Sequence, residues 1–369
     1  MIQNILLYTA YAIAIAALII TSFINIAPQF GSNPTSEQKK YYEKFPNYIK
    51  GGFKSIEETP MMTGELSTWD FFKKDSTRQP QDDIITKKVD FNSFMKIDNQ
   101  DYKITWLGHS TFLLNIDNKI ILLDPMLGTH AAPIPLPNLK RYHDSLPITP
   151  DSLKQIDVVL VSHDHYDHLD YSTIKLIKDN VKKFIVPYGV GNHLKKWKVE
   201  KEKILELNWY ESIKIDILEL TCLPARHFSG RGPLNRNSTL WSSWSLHSPT
   251  IKIYFSGDSG YGEHIKQIGR DYGPFDISLI DCGQYNKAWK HSHMFPQEAI
   301  LAAKDLGTKY FMPIHWGGFT LAMHPWDQPV KESIKLAKKL KIPCLTPEIG
   351  EIITKENINS ISKPWWNSY

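Results

Sequence analysis

The chain has 369 residues, 42% of them hydrophobic and 22% charged, with a net charge of +4. That supports a sizeable apolar core in one large folded unit or two ordinary ones. The charge is dilute and forms no Lys/Arg block or basic stripe, which excludes the electrostatic footprint of a nucleic-acid binder. Cys222, Cys282 and Cys344 are far apart and make no CxxC spacing, so neither a zinc ribbon nor a disulfide framework is supported. They read as small buried hydrophobes.

The first element is "ILLYTAYAIAIAALIITSFINI", Ile5 to Ile26, which carries no charge. As a helix it would reach about 33 Å, enough to span a bilayer core. No basic n-region precedes it and no small-x-small cleavage site stands before Pro28. Residues 1–27 therefore read as an uncleaved single-pass membrane anchor rather than a signal peptide. Lys39, Lys40 and Lys44 follow it and no Lys or Arg precedes it, which points towards a cytoplasmic C-terminal domain.

Residues 28–101 are polar, with scattered Pro, Gly and Ser and little periodicity, and read as a linker and irregular N-terminal arm. "NYIKGGF" and "WDFFKK" carry enough aromatics to pack against the rest. From Tyr102 the pattern turns regular. "YKITWLGHSTFLLNIDNKIILLDP" predicts consecutive strands with a hairpin at "DN". A Pro-rich loop is followed by strand "IDVVLV", helix "YSTIKLIKDN", strand "KKFIVP", helix "GVGNHLKKW" and strand "KILEL". Strands dominate from Ser212 to Phe255, and helix–strand units close the chain. Two helix-covered sheets, a layered α/β arrangement over residues 102–352, are expected, with 353–369 as a C-terminal tail.

The densest polar stretch, "VSHDHYDHLD" (Val161 to Asp170), directly follows the strand "IDVVLV". In a tight loop leaving a strand, His163 and His165 can converge on one ion, with the pair Asp167–His168 offset towards a second. Imidazole and carboxylate are a natural set for zinc, and iron or manganese take the same donors. Four residues do not complete two sites. His227, Asp258 and His315 each stand just after a strand as well. A lone strand-end His is more often a structural hydrogen-bonder; the three together complete a two-metal set.

The motifs "HDHYDH", "LPARHFSGRG", "FSGDSGYG", "HMFPQEA" and "IHWGGF" resemble the metallo-β-lactamase superfamily. More closely they are similar to its N-acyl-phosphatidylethanolamine-hydrolysing phospholipase D group and bacterial relatives. "TWLGHSTFLL", "LLDP", "PQFG" and "NYIKGGF" extend the likeness over most of the chain. The resemblance implies a four-layer αββα sandwich with two zinc ions at one edge. It implies that His163, His165 and His227 bind one ion, that Asp167, His168 and His315 bind the other, and that Asp258 bridges them. Asp258 would also orient the attacking water, His293 would lie by the reactive group of the substrate, and His109 would steady a ligand from behind. Asn235, Cys282, Gln284 and Gln328 depart from the pattern; none is an expected ligand.

The expected activity is phosphodiester hydrolysis by metal-activated hydroxide on N-acyl-phosphatidylethanolamine-like phospholipids, met at the membrane surface. A lactone or other ester is the alternative substrate class. A low-turnover metal-binding envelope protein is the alternative from another class.

Overall fold

The computed structural model describes residues 2–65, 75–97, 101–233 and 235–369; "WDFFKK" lies outside them. Helix α1 (Ile2–Ile26) is apolar all round. Its segment Asn4–Ile26 has a mean hydropathy of 2.1 and none of its residues is fully buried, so α1 is long and apolar enough to cross a membrane.

The arm that follows holds short elements. Helix α2 (Ser36–Tyr42) starts at a capping box in which the Thr35 hydroxyl accepts from Gln38 N–H and the Gln38 carboxamide returns the bond. Strands β1 (Tyr48–Ile49) and β2 (Gly52–Phe53) form a small hairpin. Tyr42, Tyr48 and Phe53 are buried and belong to the largest hydrophobic cluster of the molecule. Helix α3 (Phe91–Met95), capped by Asp90, inserts Phe91 and Phe94 under the first sheet.

That sheet has seven strands. β3 (Tyr102–Trp106), β4 (Phe112–Ile116) and β5 (Lys119–Leu123) run antiparallel, with Asp117 and Asn118 both at positive φ in the tight turn between β4 and β5. β6 (Ile156–Leu160), β7 (Val181–Pro187) and β8 (Ile204–Leu207) continue it in parallel, and β15 (Ile352–Ile353) closes the other edge beside β3. The second sheet has six strands: β9 (Ser212–Ile215), β10 (Leu218–Leu223), β11 (Ser243–His247) and β12 (Lys252–Phe255) antiparallel, then β13 (Ile277–Asp281) and β14 (Tyr310–Ile314) parallel.

Side-chain alternation along each strand builds the layers. On β6, Val158 and Leu160 enter the cluster between the sheets, while Val159 faces the opposite way. It meets Ile174 and Ile177 of α4 (Tyr171–Ile177) and Leu194 of α5 (Gly191–Lys196). On β13, Leu279 joins the central cluster. Ile280 meets α6 (Glu263–Tyr272), α7 (Pro296–Asp305) and α8 (Gln328–Leu340) on the outer face. The expected αββα sandwich is formed.

The central core takes in the chain end too. Trp365 and Trp366 are buried, and Trp365 stacks on Trp316, the residue after His315, with ring centroids 5.4 Å apart. Trp106 packs on Trp316 from the first sheet at 5.3 Å. The terminal segment thus braces one corner of the site edge. Trp365→Ala should lower global stability by about 3–5 kcal/mol, read as an earlier denaturation midpoint; a change under about 1 kcal/mol would mean that the tail is not part of the core.

Two histidines outside the site edge give the fold a pH dependence. Burial pushes His143 and His264 down to about 3. Between that value and the ordinary 6.5 of the unfolded chain, the unfolded state binds more protons, so stability falls as pH drops through this window. The slope is about 1.4 kcal/mol per pH unit for each group. Thermal midpoints measured from pH 7 to 4 should fall, and His143→Gln should flatten the curve; an unchanged slope would contradict its role.

Candidate metal centre

The parallel strands of both sheets end at the same edge of the sandwich, and the polar loops lie there. His163, His165, Asp167 and His168 leave β6, His227 follows β10, Asp258 follows β12 and His315 follows β14. His109 comes from the turn between β3 and β4. The turns are tight: His109 and His315 adopt φ of 54° and 68°, in the left-handed region. Gly257, at φ 54°, sets Asp258 in place; a Cβ there would lie 2.5 Å from that of Ser162.

All seven residues expected as ligands converge, and all are buried except His165, which is half-buried. Donor atoms of His163, His165, His227 and Asp258 form one group within 4.8 Å of one another; His109, Asp167, His168 and His315 form a second. His163 Nε2 lies 2.9 Å from His165 Nδ1, and His227 Nε2 lies 3.3 Å from the same atom. Asp258 Oδ2 is 3.7 Å from His163, 3.6 Å from His227 and 3.3 Å from His315, while its Oδ1 is 3.1 Å from His168 Nε2. Ligands at about 2.1 Å around a tetrahedral ion stand about 3.4 Å apart, which these spacings match. His168 Nε2 and Asp258 Oδ1 are buried without a hydrogen-bond partner, as donors aimed at a cation would be.

The opposite nitrogens are held from behind. His163 Nδ1 meets Ser162 Oγ at 2.9 Å, His168 Nδ1 meets Asp124 Oδ2 at 2.7 Å, and His315 Nδ1 meets Ser110 Oγ at 3.1 Å. His227 Nδ1 donates to Ser292 O at 2.9 Å. His109 Nε2 lies 2.8 Å from Asp167 Oδ2, so it steadies that carboxylate.

Electrostatics follow burial. It pushes His163, His227 and His315 well below the usual histidine range and His165 down to about 4, leaving neutral imidazoles with free lone pairs. Burial also pushes the Asp258 carboxyl up to about 6. His168 is the exception: burial lowers it, but Asp258 and Asp167 outweigh that and raise it well above the ordinary value. A proton on His168 offsets part of the charge of these two carboxylates.

His293 sits across a cavity of about 130 Å³ whose lining also includes Phe228, Trp289 and Leu321. Its ring stacks parallel to that of His315 at 5.1 Å, and its Nδ1 meets Asp281 Oδ2 at 2.9 Å. Burial lowers the His293 pKa, but the Asp281 charge and hydrogen bond raise it on balance.

Sequence reasoning passed over Asp124 and Asp281. Both are fully buried carboxylates ending apolar strands, "IILLD" and "ISLID", which is the signal that marked Asp258. Asp164, Tyr166 and Asp170 take framework parts. Asp164 accepts from Gly230 N–H and Thr239, Tyr166 donates to Arg231 O, and Asp170 caps α4. Cys282 faces Ser333 of α8, not the cavity, and burial pushes its thiol up, which leaves it no nucleophilic part.

Titration of the full chain with Zn²⁺ should show two bound ions. Asp124→Asn should weaken one of them by about 10–100-fold, measured by chelator competition. Two sites of unchanged affinity in the variant would show that Asp124 does not support the His168 position.

Comparison with known proteins gives the chain its place. Residues 119–316 match the model described as "Beta-lactamase superfamily domain". An uncharacterized protein of Mycobacterium tuberculosis is 38% identical over 333 residues, 88% of each chain. N-acyl-phosphatidylethanolamine-hydrolyzing phospholipase D 1 of Caenorhabditis elegans is 34% identical over 270 residues, 67% of this chain and 74% of that one. Among solved structures, the isothiocyanate hydrolase from Delia radicum gut bacteria superposes with a TM-score of 0.55 at 19% identity, covering 68% of this chain and 98% of that one. The chain belongs to the β-lactamase superfamily and is a metal-dependent hydrolase with the metallo-β-lactamase fold.

Proposed function

We propose that the protein is a membrane-anchored dinuclear zinc phosphodiesterase of the phospholipase D type, acting on N-acyl-phosphatidylethanolamine-like lipids from the cytoplasmic face. The observation that carries the reading is the pair of adjacent donor groups, with Asp258 of one reaching His168 and His315 of the other at 3.1 and 3.3 Å and the cavity opening beside them. The 34% identity to a phospholipase D of that specificity supports the substrate class, and α1 supports the encounter with lipid, since a tether raises the effective concentration of headgroups.

His163, His165 and His227 would hold one ion, Asp167, His168 and His315 the other, with Asp258 between them. Two divalent ions there supply Lewis acidity towards a phosphoryl oxygen and lower the pKa of water towards neutrality. The chain's own residues do the rest. Asp258 turns Oδ2 towards His163, His227 and His315 and Oδ1 towards His168, and so reaches both donor groups. Asp281 fixes the His293 ring and favours its protonated form, in which His293 can hold a phosphate oxygen or give a proton to the leaving alcohol. Phe228, Trp289 and Leu321 exclude bulk water around them.

Zinc-loaded full-length protein in detergent, given N-acyl-phosphatidylethanolamine, should release phosphatidic acid and an N-acylethanolamine. His165→Ala should abolish release. His293→Gln should lower kcat by about 10²-fold with metal content unchanged. Turnover of a lactone panel without phosphatidic acid release would overturn the phosphodiesterase reading in favour of an ester hydrolase.

A further inference from the structure

A cavity of about 340 Å³, larger than the one beside the metal centre, lies where α1 meets the catalytic domain. Its walls include Thr21 and Asn25 of α1, Ser32 and Asn33 of the arm, and two cations, Lys196 and Arg231. Arg231 is 1% exposed. Its Nη1 donates to the carbonyls of Asp164 and Leu169, and its Nε and Nη2 donate to that of Gln29. Lys196 Nζ donates to the carbonyls of Asn25 and Gly31. Among the described residues, no carboxylate oxygen lies within 4.0 Å of either cation. The carboxylate of Asp164 is bonded to His193, Gly230 and Thr239, and that of Asp170 caps α4, so both reach Arg231 only through space.

The guanidinium is held by those carbonyls and lies over the Tyr166 and Trp197 rings at 4.1 and 5.1 Å, with Asp164, Asp170 and Asp167 acting on it from a distance. With no carboxylate in contact, a phosphate beside it adds the charge-assisted bonds that the site lacks. The place suits a lipid. If α1 spans the bilayer, Asn25 and the cavity sit at headgroup depth. Exposed Ile134 and Leu136 lie in the neighbouring Pro-rich loop, which Gln29 ties to the arm through Pro133 O, and they offer apolar contacts at the same boundary.

We propose that this cavity is an anion site, separate from the metal cavity, that takes the phosphate of a phospholipid headgroup and clamps the arm to the metal-binding loop. The proposal rests on α1 being an anchor, and not on phospholipase activity. The clamp is already laid out. Ser32 N–H donates to His193 Nδ1 at 2.9 Å, and His193 Nε2 donates to Asp164 Oδ2 at 3.1 Å, between His163 and His165. Gly31, at φ 69°, lies flat on the His193 ring; a Cβ there would come within 2.0 Å of Nδ1. The occupant would therefore bridge three parts: the end of α1, the arm, and Arg231 with its grip on the loop.

The test is native mass spectrometry of the full chain in non-ionic detergent with phosphatidylglycerol, which is not the proposed substrate. One lipid should remain bound per chain. Lys196→Met should weaken it by about tenfold or more, the size of one charge-assisted hydrogen bond, and Lys196→Arg should retain it. Asn33→Trp, which fills the cavity, should abolish binding with metal content unchanged. If inorganic phosphate binds in a Lys196-dependent way while phosphatidylglycerol does not bind, the anion site stands with free phosphate as its source and the lipid assignment falls. Equal lipid retention by the parent, Lys196→Met and Asn33→Trp would overturn the site. Release of the chain from membranes by carbonate would overturn the anchor, and with it the lipid, whatever the phospholipase assay shows.

Discussion

The structure turns on the problem of keeping Asp258 buried among imidazoles. A carboxylate 3% exposed is costly unless it is matched by positive charge. Here six histidines and Asp281 lie around it, and burial keeps most of those imidazoles neutral. Asp258 and Asp167 in turn raise the pKa of His168, so a proton there offsets part of their charge. A divalent cation held here would supply the rest, which would couple metal binding to folding energy at this edge. The strand ends, the left-handed turns at His109 and His315, and the hydrogen bonds behind each ring all serve to hold that cluster before an ion arrives.

Much of this was legible in one dimension, for physical reasons. A parallel strand buried on both faces is a continuous apolar run, so its end is easy to find, and polar residues placed there are conspicuous. "IDVVLVSHDHYDH" is such a case, and His227, Asp258 and His315 repeat it. The support behind them was harder to see. Asp124 and Asp281 occupy equivalent places but bond through space to His168 and His293, far along the chain. Ser110 and Ser162 look like any hydroxyl. No local pattern encodes such partnerships.

The chain's two ends were the least readable. The arm lacks periodicity because its elements are too short to have any, yet Tyr42, Tyr48 and Phe53 enter the central core. Trp365 and Trp366 stand in a polar tail, and only the folded structure shows them stacked against Trp316 beside His315. Their contribution is long-range packing, to which sequence windows are blind.

The Gly31–His193–Asp164 contact has a consequence for how the molecule can be taken apart. Helix α1 reads as a module in its own right, but the residues directly after it do not: Gln29, Gly31 and Ser32 share hydrogen bonds with the residues that shape the His163–His168 loop. The chain is divisible near Ala27, whereas a cut only six residues later would remove part of the scaffold of the metal loop. Removing α1, or grafting another helix in its place, is a question of respecting that short seam.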